Sequence, residues 1–211
     1  MKTSNLIEVL AQDAPVRSSL SHMLQQATIA AALIVAVTFF SAVGFRPDIE
    51  TAMDTGRFLF KFVITIALAV TGSLVMYRIG RPGVPLLGWA WALLVPWALA
   101  AGAAVFELSV TPPEIWMSLM IGHNSRFCLT IIPSLSAGPL ACFLVALRHG
   151  VPARPGIAGA AAGLASAGIA ATFYAANCND DSPLFVLLWY PIAISVVTGI
   201  GALAGHKLLR L

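Results

Sequence analysis

Two cysteines stand where thiol chemistry could take place. Cys128 follows Asn124-Ser125-Arg126-Phe127 at the head of an apolar run, and Cys178 lies in the polar stretch Asn177-Cys178-Asn179-Asp180-Asp181-Ser182-Pro183 between two others. A thiol pair can close a reversible disulfide, or share a soft metal ion with an imidazole or a carboxylate. His123, Asp180 and Asp181 are the auxiliary ligands that such a metal would recruit. The competing account is packing, because a free cysteine often fills a helix end as a small hydrophobe. The Asn and Asp residues beside Cys178 favour chemistry. Cys142, among Ala, Leu and Phe, reads as packing.

Other chemistries find no support. The chain has three cysteines and no C-x-x-C, which removes the commonest zinc and thioredoxin-type signatures, and a quinone-linked disulfide generator would need a second pair. A serine nucleophile elbow, an H-E-x-x-H pair and a phosphate-binding Walker loop are missing. Trp89, Trp91 and Trp97 are the material of an interfacial aromatic belt. The expectation is a protein that is not an enzyme and has no resident cofactor, with at most a transient heavy-metal ion at the cysteine pair.

The elements that must position these residues follow from composition. Of 211 residues, 59% are apolar and 10% charged, against about 25% charged in a soluble domain. The mean hydropathy is +0.88. A membrane helix needs roughly 20 apolar residues, and six segments qualify: about 27–45, 58–77, 84–106, 127–147, 156–176 and 183–204. Alternation of strand type is absent, so the expected fold is an all-α integral membrane protein of six transmembrane helices. Residues 1–26 form a short cytoplasmic N-terminal tail and 27–211 the transmembrane domain. The tail is polar and precedes a full-length span, which argues against a signal peptide.

Lys and Arg concentrate on the cytoplasmic side of membrane proteins. With both termini inside, eight of them lie inside (Lys2, Arg17, Arg78, Arg81, Arg148, Arg154, Lys207, Arg210) and four outside (Arg46, Arg57, Lys61, Arg126). The N-in, C-in orientation puts Cys128 and Cys178 at the same outer depth. Lys61, about one turn into the second span, is expected to snorkel to the interface. With no acidic residue near a midplane, ion-coupled transport is disfavoured.

Pro96, Pro133, Pro139 and Pro191 interrupt three spans and favour kinks, with Thr130, Ser134 and Ser136 placed to satisfy freed carbonyls. Gly159-x-x-x-Gly163 in the fifth span and Gly201-x-x-x-Gly205 in the sixth provide stripes for close packing, more within one molecule than between two. In the tail, Asn5-x-x-Glu8 suits a capping-box variant, and Leu6, Ile7, Val9 and Leu10 make an apolar strip ended by Pro15. A helix this short is not stable alone in water. It lies on membrane lipid or docks into a partner's groove.

Several of these pieces together resemble one family. They are Lys2-Thr3-x-x-Leu6-Ile7-x-x-Leu10-Ala11-x-Asp13-Ala14-Pro15, the cysteine at the outer end of the fourth span followed by Pro133, and Ala146-Leu147-Arg148-His149-Gly150-x-Pro152-x-Arg154-Pro155. The last is Cys178-x-Asp180-Asp181-Ser182-Pro183-Leu184-Phe185, followed by Trp189-Tyr190. The chain resembles the NrsF-type membrane anti-sigma factors over its whole length. The resemblance implies a bacterial inner-membrane regulator that holds an extracytoplasmic-function sigma factor inactive and makes no direct contact with nucleic acid. It implies that Cys128 and Cys178 are the stress-sensing thiols, responding to heavy metal or oxidant. It also implies that the tail, with Leu6, Ile7, Val9, Leu10 and Asp13, is the sigma-binding segment. A small transporter or channel and a membrane thiol oxidoreductase are the competing classes.

Overall fold

The computed structural model describes residues 19–80, 91–150 and 152–210. Within them the chain is helical: α1 (Leu20–Ala42), α2 (Ile49–Met53), α3 (Gly56–Ile79), α4 (Leu94–Val110), α5 (Trp116–Ile121), α6 (Ser125–Arg148), α7 (Pro155–Ala175) and α8 (Pro183–Leu208). Single 3₁₀ turns, Trp91–Leu93 and Pro113–Ile115, lead into α4 and α5. No strand occurs among the described residues. Among the described residues six helices (α1, α3, α4 together with the Trp91–Leu93 turn, α6, α7 and α8) are long and apolar enough to cross a membrane. Their outward faces are apolar, with Ile29, Val37, Phe106 and Leu203 all exposed.

The expected spans match these six helices, with differences at the ends. α1 begins at Leu20 rather than near residue 27, because Ser19 caps it by accepting a hydrogen bond from the His22 N–H at 3.3 Å. The short helices α2 and α5, which the apolar runs do not reveal, fold on the end of the bundle that carries Cys178. The tail residues Leu6, Ile7, Val9, Leu10 and Asp13 lie outside the described residues, as does the proposed start of the third span.

The helix at the centre is α7. Thirteen of its 21 residues are buried, so its sides are covered by neighbours, and it packs against α8, α3, α6 and α1. Small residues make this possible. A Cβ on Gly159 would stand 2.1 Å from the Gly201 carbonyl oxygen, and one on Gly168 would stand 2.7 Å from the Ala69 backbone. Backbones therefore touch backbones, and the stripe of small residues works inside the molecule, joining α7 to α8 and α3.

α1 packs along α6 through Leu24, Ala27, Ala31, Val35 and Phe39, a stripe repeating every three to four residues. At its first turn Leu20 fits against Gly80 and Gly150, where a Cβ would approach Leu20 Cδ2 to 3.2 and 2.6 Å. In α6 the hydroxyls of Thr130, Ser134 and Ser136 bond back to the carbonyls of Arg126, Thr130 and Ile132. The carbonyls four residues before Pro133 and Pro139 belong to Leu129 and Leu135. The hydroxyls thus do not take the role expected of them, because each reaches its own i−4 carbonyl first.

Candidate functional site

Residues 176–182, between α7 and α8, carry Cys178 and are held from three directions. The first hold comes from the turn after α1. Gly44, at φ 74°, reverses the chain there, and its carbonyl accepts from Asn177 Nδ2 at 3.1 Å. Arg46 then donates its backbone N–H to the Ala176 carbonyl at 3.2 Å. Its guanidinium grips Asp48 with two bonds of 2.7 Å, reaches Asp181 Oδ2 at 2.7 Å and touches the Cys178 carbonyl at 3.3 Å.

The second hold comes from α3. Lys61 Nζ lies 2.8 Å from the Cys178 carbonyl oxygen and 2.5 Å from Asp181 Oδ1. Its side chain is fully buried, which corrects the expectation that it snorkels outward. A buried ammonium needs a counter-ion and acceptors, and the carboxylate and carbonyl of the loop supply both. Phe58 lies beneath the two cations, its ring centroid 5.6 Å from Arg46 Cζ and 5.4 Å from Lys61 Nζ.

The third hold is Asp180. Its Oδ2 accepts the backbone N–H groups of His123 at 2.9 Å and Asn124 at 2.7 Å, and the Asn124 side chain at 3.0 Å. This ties the loop to the start of α6. Gly122, at φ 60°, permits the approach: a Cβ there would stand 2.8 Å from Asp180 Cγ and 2.4 Å from the Phe185 ring. Trp189 of α8 donates to the carbonyls of Met120 and Ile121 at 3.1 Å, fixing α5 alongside.

Beneath this polar layer lie the thiols. Cys128 and Cys178 are both unpaired and buried in one cluster with Tyr174, Tyr190, Phe39, Ile132 and Phe185. The Cys178 thiol points to the Asp180 carbonyl at 3.7 Å, and the Tyr190 hydroxyl is buried without a protein partner. Burial pushes the Cys178 thiol up, and the nearby Lys61 charge opposes that push. On the surface of the site, hydrogen bonds from Arg46 lower the Asp48 carboxyl to about 2, and Arg46 holds its own proton more firmly than usual.

The structure therefore brings Cys128 and Cys178 into one cluster and puts Asp180 and Asp181 at its rim. His123 stays outside: its side chain is 98% exposed, with Nδ1 3.9 Å from Asp180 Oδ1. Asp181 is committed to Arg46 and Lys61, and Asp180 to α6. Among the described residues no group of three or more His, Cys, Asp and Glu gathers to hold a metal. Sequence reasoning missed Arg46, Lys61, Tyr174 and Tyr190 as members of the site. For Lys61 a signal exists, since Phe58, Lys61, Thr65, Leu68 and Gly72 repeat at helical spacing and all are buried. Cys142 is partly buried beside the other core cluster, as its packing assignment expects.

A bundle of six membrane-length helices, capped at one end by a thiol-bearing loop under charge, defines a small all-helical protein built around one polar end. The chain belongs to the NrsF family, described as negative regulators of sigma F, whose family model matches residues 10–211. It is 34% identical over 218 residues to the anti-sigma-F factor NrsF of Caulobacter vibrioides and 28% identical over 216 residues to the probable anti-sigma-F factor NrsF of Azospira oryzae. Each match covers all of both chains. No solved structure matches the chain. The family is a regulatory one.

Proposed function

We propose that this protein is an anti-sigma factor of the bacterial inner membrane, N-in and C-in, that holds an extracytoplasmic-function sigma factor through its cytoplasmic N-terminal segment. It releases that partner when Cys128 and Cys178 meet a heavy-metal ion or an oxidant. Membrane lipid surrounds the six helices, and the protein acts on transcription through its partner rather than by touching nucleic acid. The observation that carries this reading is that both thiols lie in one cluster, at the end of the bundle away from Leu20, the residue at which the tail joins α1.

The chemistry has two balanced forms. A two-electron oxidant takes two electrons and two protons from the thiols, whose S–H bonds break as one S–S bond forms. A soft divalent cation instead displaces both protons and is bound by two thiolates. Either change alters a core packed to organic-crystal density, where small shifts are not absorbed locally. A tenfold change in partner affinity requires about 1.4 kcal/mol of coupling.

The test is to purify the full-length, tagged protein in detergent from its own host, with and without cadmium chloride. A sigma factor that co-elutes from unstressed cells and is lost under stress supports the reading, and its absence even after crosslinking sinks it. Replacing both cysteines by serine should leave the partner bound under stress.

A further inference from the structure

We propose that the Arg46–Asp181–Lys61 cluster is the coupling that ties the Cys178 loop to α1, the helix that leads to the N-terminal segment. The inference rests on the reading of Cys178 as a sensing thiol and names the residues that carry its state away from the loop. Cys178 is held at both ends of its own peptide. Its N–H bonds the Tyr174 carbonyl at 3.0 Å, and its carbonyl receives Lys61 at 2.8 Å and Arg46 at 3.3 Å. A new bond at the Cys178 sulfur that draws on its backbone moves that carbonyl, and with it two buried cations that share one carboxylate.

Arg46 stands four residues past the end of α1. The bond from its backbone N–H to Ala176 and the one from Asn177 to Gly44 make the turn and the loop a single unit. α1 therefore meets both thiol-bearing elements, packing along α6 with Cys128 and clamped to the loop with Cys178. At the other end of α1, Leu20 sits in a slot formed by Gly80 and Gly150. A helix clamped at one end by charge and packed along α6 down to Leu24 and Leu20 at the other transmits a displacement along its axis. Arg46, Lys61 and Asp181 are positioning residues here, because they act through Cys178 and touch no ligand.

Two measurements on the full-length protein test this. The first is hydrogen exchange of the wild-type protein in nanodiscs, with and without cadmium chloride or diamide. We expect protection at residues 44–48 and 176–182 to fall together. A change at 176–182 with residues 44–48 unaltered would overturn the coupling, whether or not a sigma factor is bound. The second is a sigma-dependent reporter in unstressed cells carrying Lys61→Met, which keeps volume and removes charge, or Lys61→Arg, which keeps charge. Lys61→Met should raise unstressed output about tenfold, inside the range usual for coupled sites, and Lys61→Arg should restore repression. A Lys61→Met protein present in the membrane at wild-type level with wild-type repression and response would refute the proposal and leave the anti-sigma reading standing. Loss of partner binding in the wild type would instead count against that reading alone.

Discussion

Lys61 and Cys178 lie 117 positions apart in the chain, yet the ammonium of one donates to the main-chain carbonyl of the other at 2.8 Å. A hydrogen bond from a buried cation is among the stronger kinds. It joins the second long helix to the loop between the last two, and the charge balance of the site depends on Asp181 remaining beside it.

Removing that carboxylate should therefore be costly. Asp181→Asn leaves Lys61 buried without its counter-ion, for which a loss of about 3 kcal/mol is expected. Thermal unfolding in detergent should show a clear fall in Tm. The double change Lys61→Met with Asp181→Leu should recover part of it, since it removes the stranded ammonium while Arg46 loses Asp181 but keeps Asp48 as its partner. A double variant no more stable than Asp181→Asn would show that the loss has another origin.

The thiol beneath the loop should react slowly. Cys178 is 1% exposed, and burial holds its ionisation above that of a free cysteine, which titrates near 8.5. In the folded protein, alkylation of Cys178 by N-ethylmaleimide should level off at a higher pH than in the unfolded chain. Because the folded-state value is raised, the neutral thiol's contribution to stability is complete below about pH 8.5 and is lost as pH rises through the folded value. Peptide mass spectrometry of the alkylated protein reads the rate, and a plateau at the same pH in folded and unfolded protein would mean an accessible thiol.

Asp48 should make its mark at the acid edge. Its carboxyl is lowered to about 2 by Arg46, so its contribution is present above about pH 4 and lost as pH falls through the folded value. With its side chain 52% exposed, the effect is small. The Tm difference between wild type and Asp48→Asn should be visible at pH 5 and should vanish toward pH 2.

Close helix contact makes a sharper prediction. A Cβ on Gly163 would stand 2.7 Å from the Val197 carbonyl oxygen, whereas one on Gly102 meets nothing within 4 Å. Gly163→Ala should destabilise by about 1–3 kcal/mol through overpacking. Gly102→Ala, in the open middle of α4, should be neutral or should stabilise by up to about 1 kcal/mol. Resistance to unfolding in rising SDS, read by circular dichroism, separates them. Equal behaviour would mean that α7 and α8 are not packed backbone to backbone.

The six long helices were legible in the sequence because long apolar runs admit no other fold. The site was legible only in part. Cys128 and Cys178 stand out by type, and the side of the bundle they share follows from the alternating direction of the spans. Their depth does not, since Phe39 of α1 and Phe185 and Tyr190 of α8 close over them only once the helices pack. Lys61 was misjudged because position along a helix says how far a cation lies from the interface, while the face it occupies decides whether it can reach water. Arg46 carries no periodic signal, being in a turn. Asp180 and Asp181 read as ligands from composition, but each is already spent on holding backbone and cations in place.

The crowding of α7 by backbone has a mechanical consequence. Where it meets α8 and α3 through Gly and Ala, α7 lies backbone against backbone with few side chains between to swing aside. Cys178 hangs three residues beyond its last turn, like a weight on the end of a stiff post. Strain imposed at the thiol cannot be damped by bending the post and falls instead on what leans against it. A displacement at that end of α7 would reach the helices packed around it, α8, α3, α6 and α1, before being taken up within α7 itself.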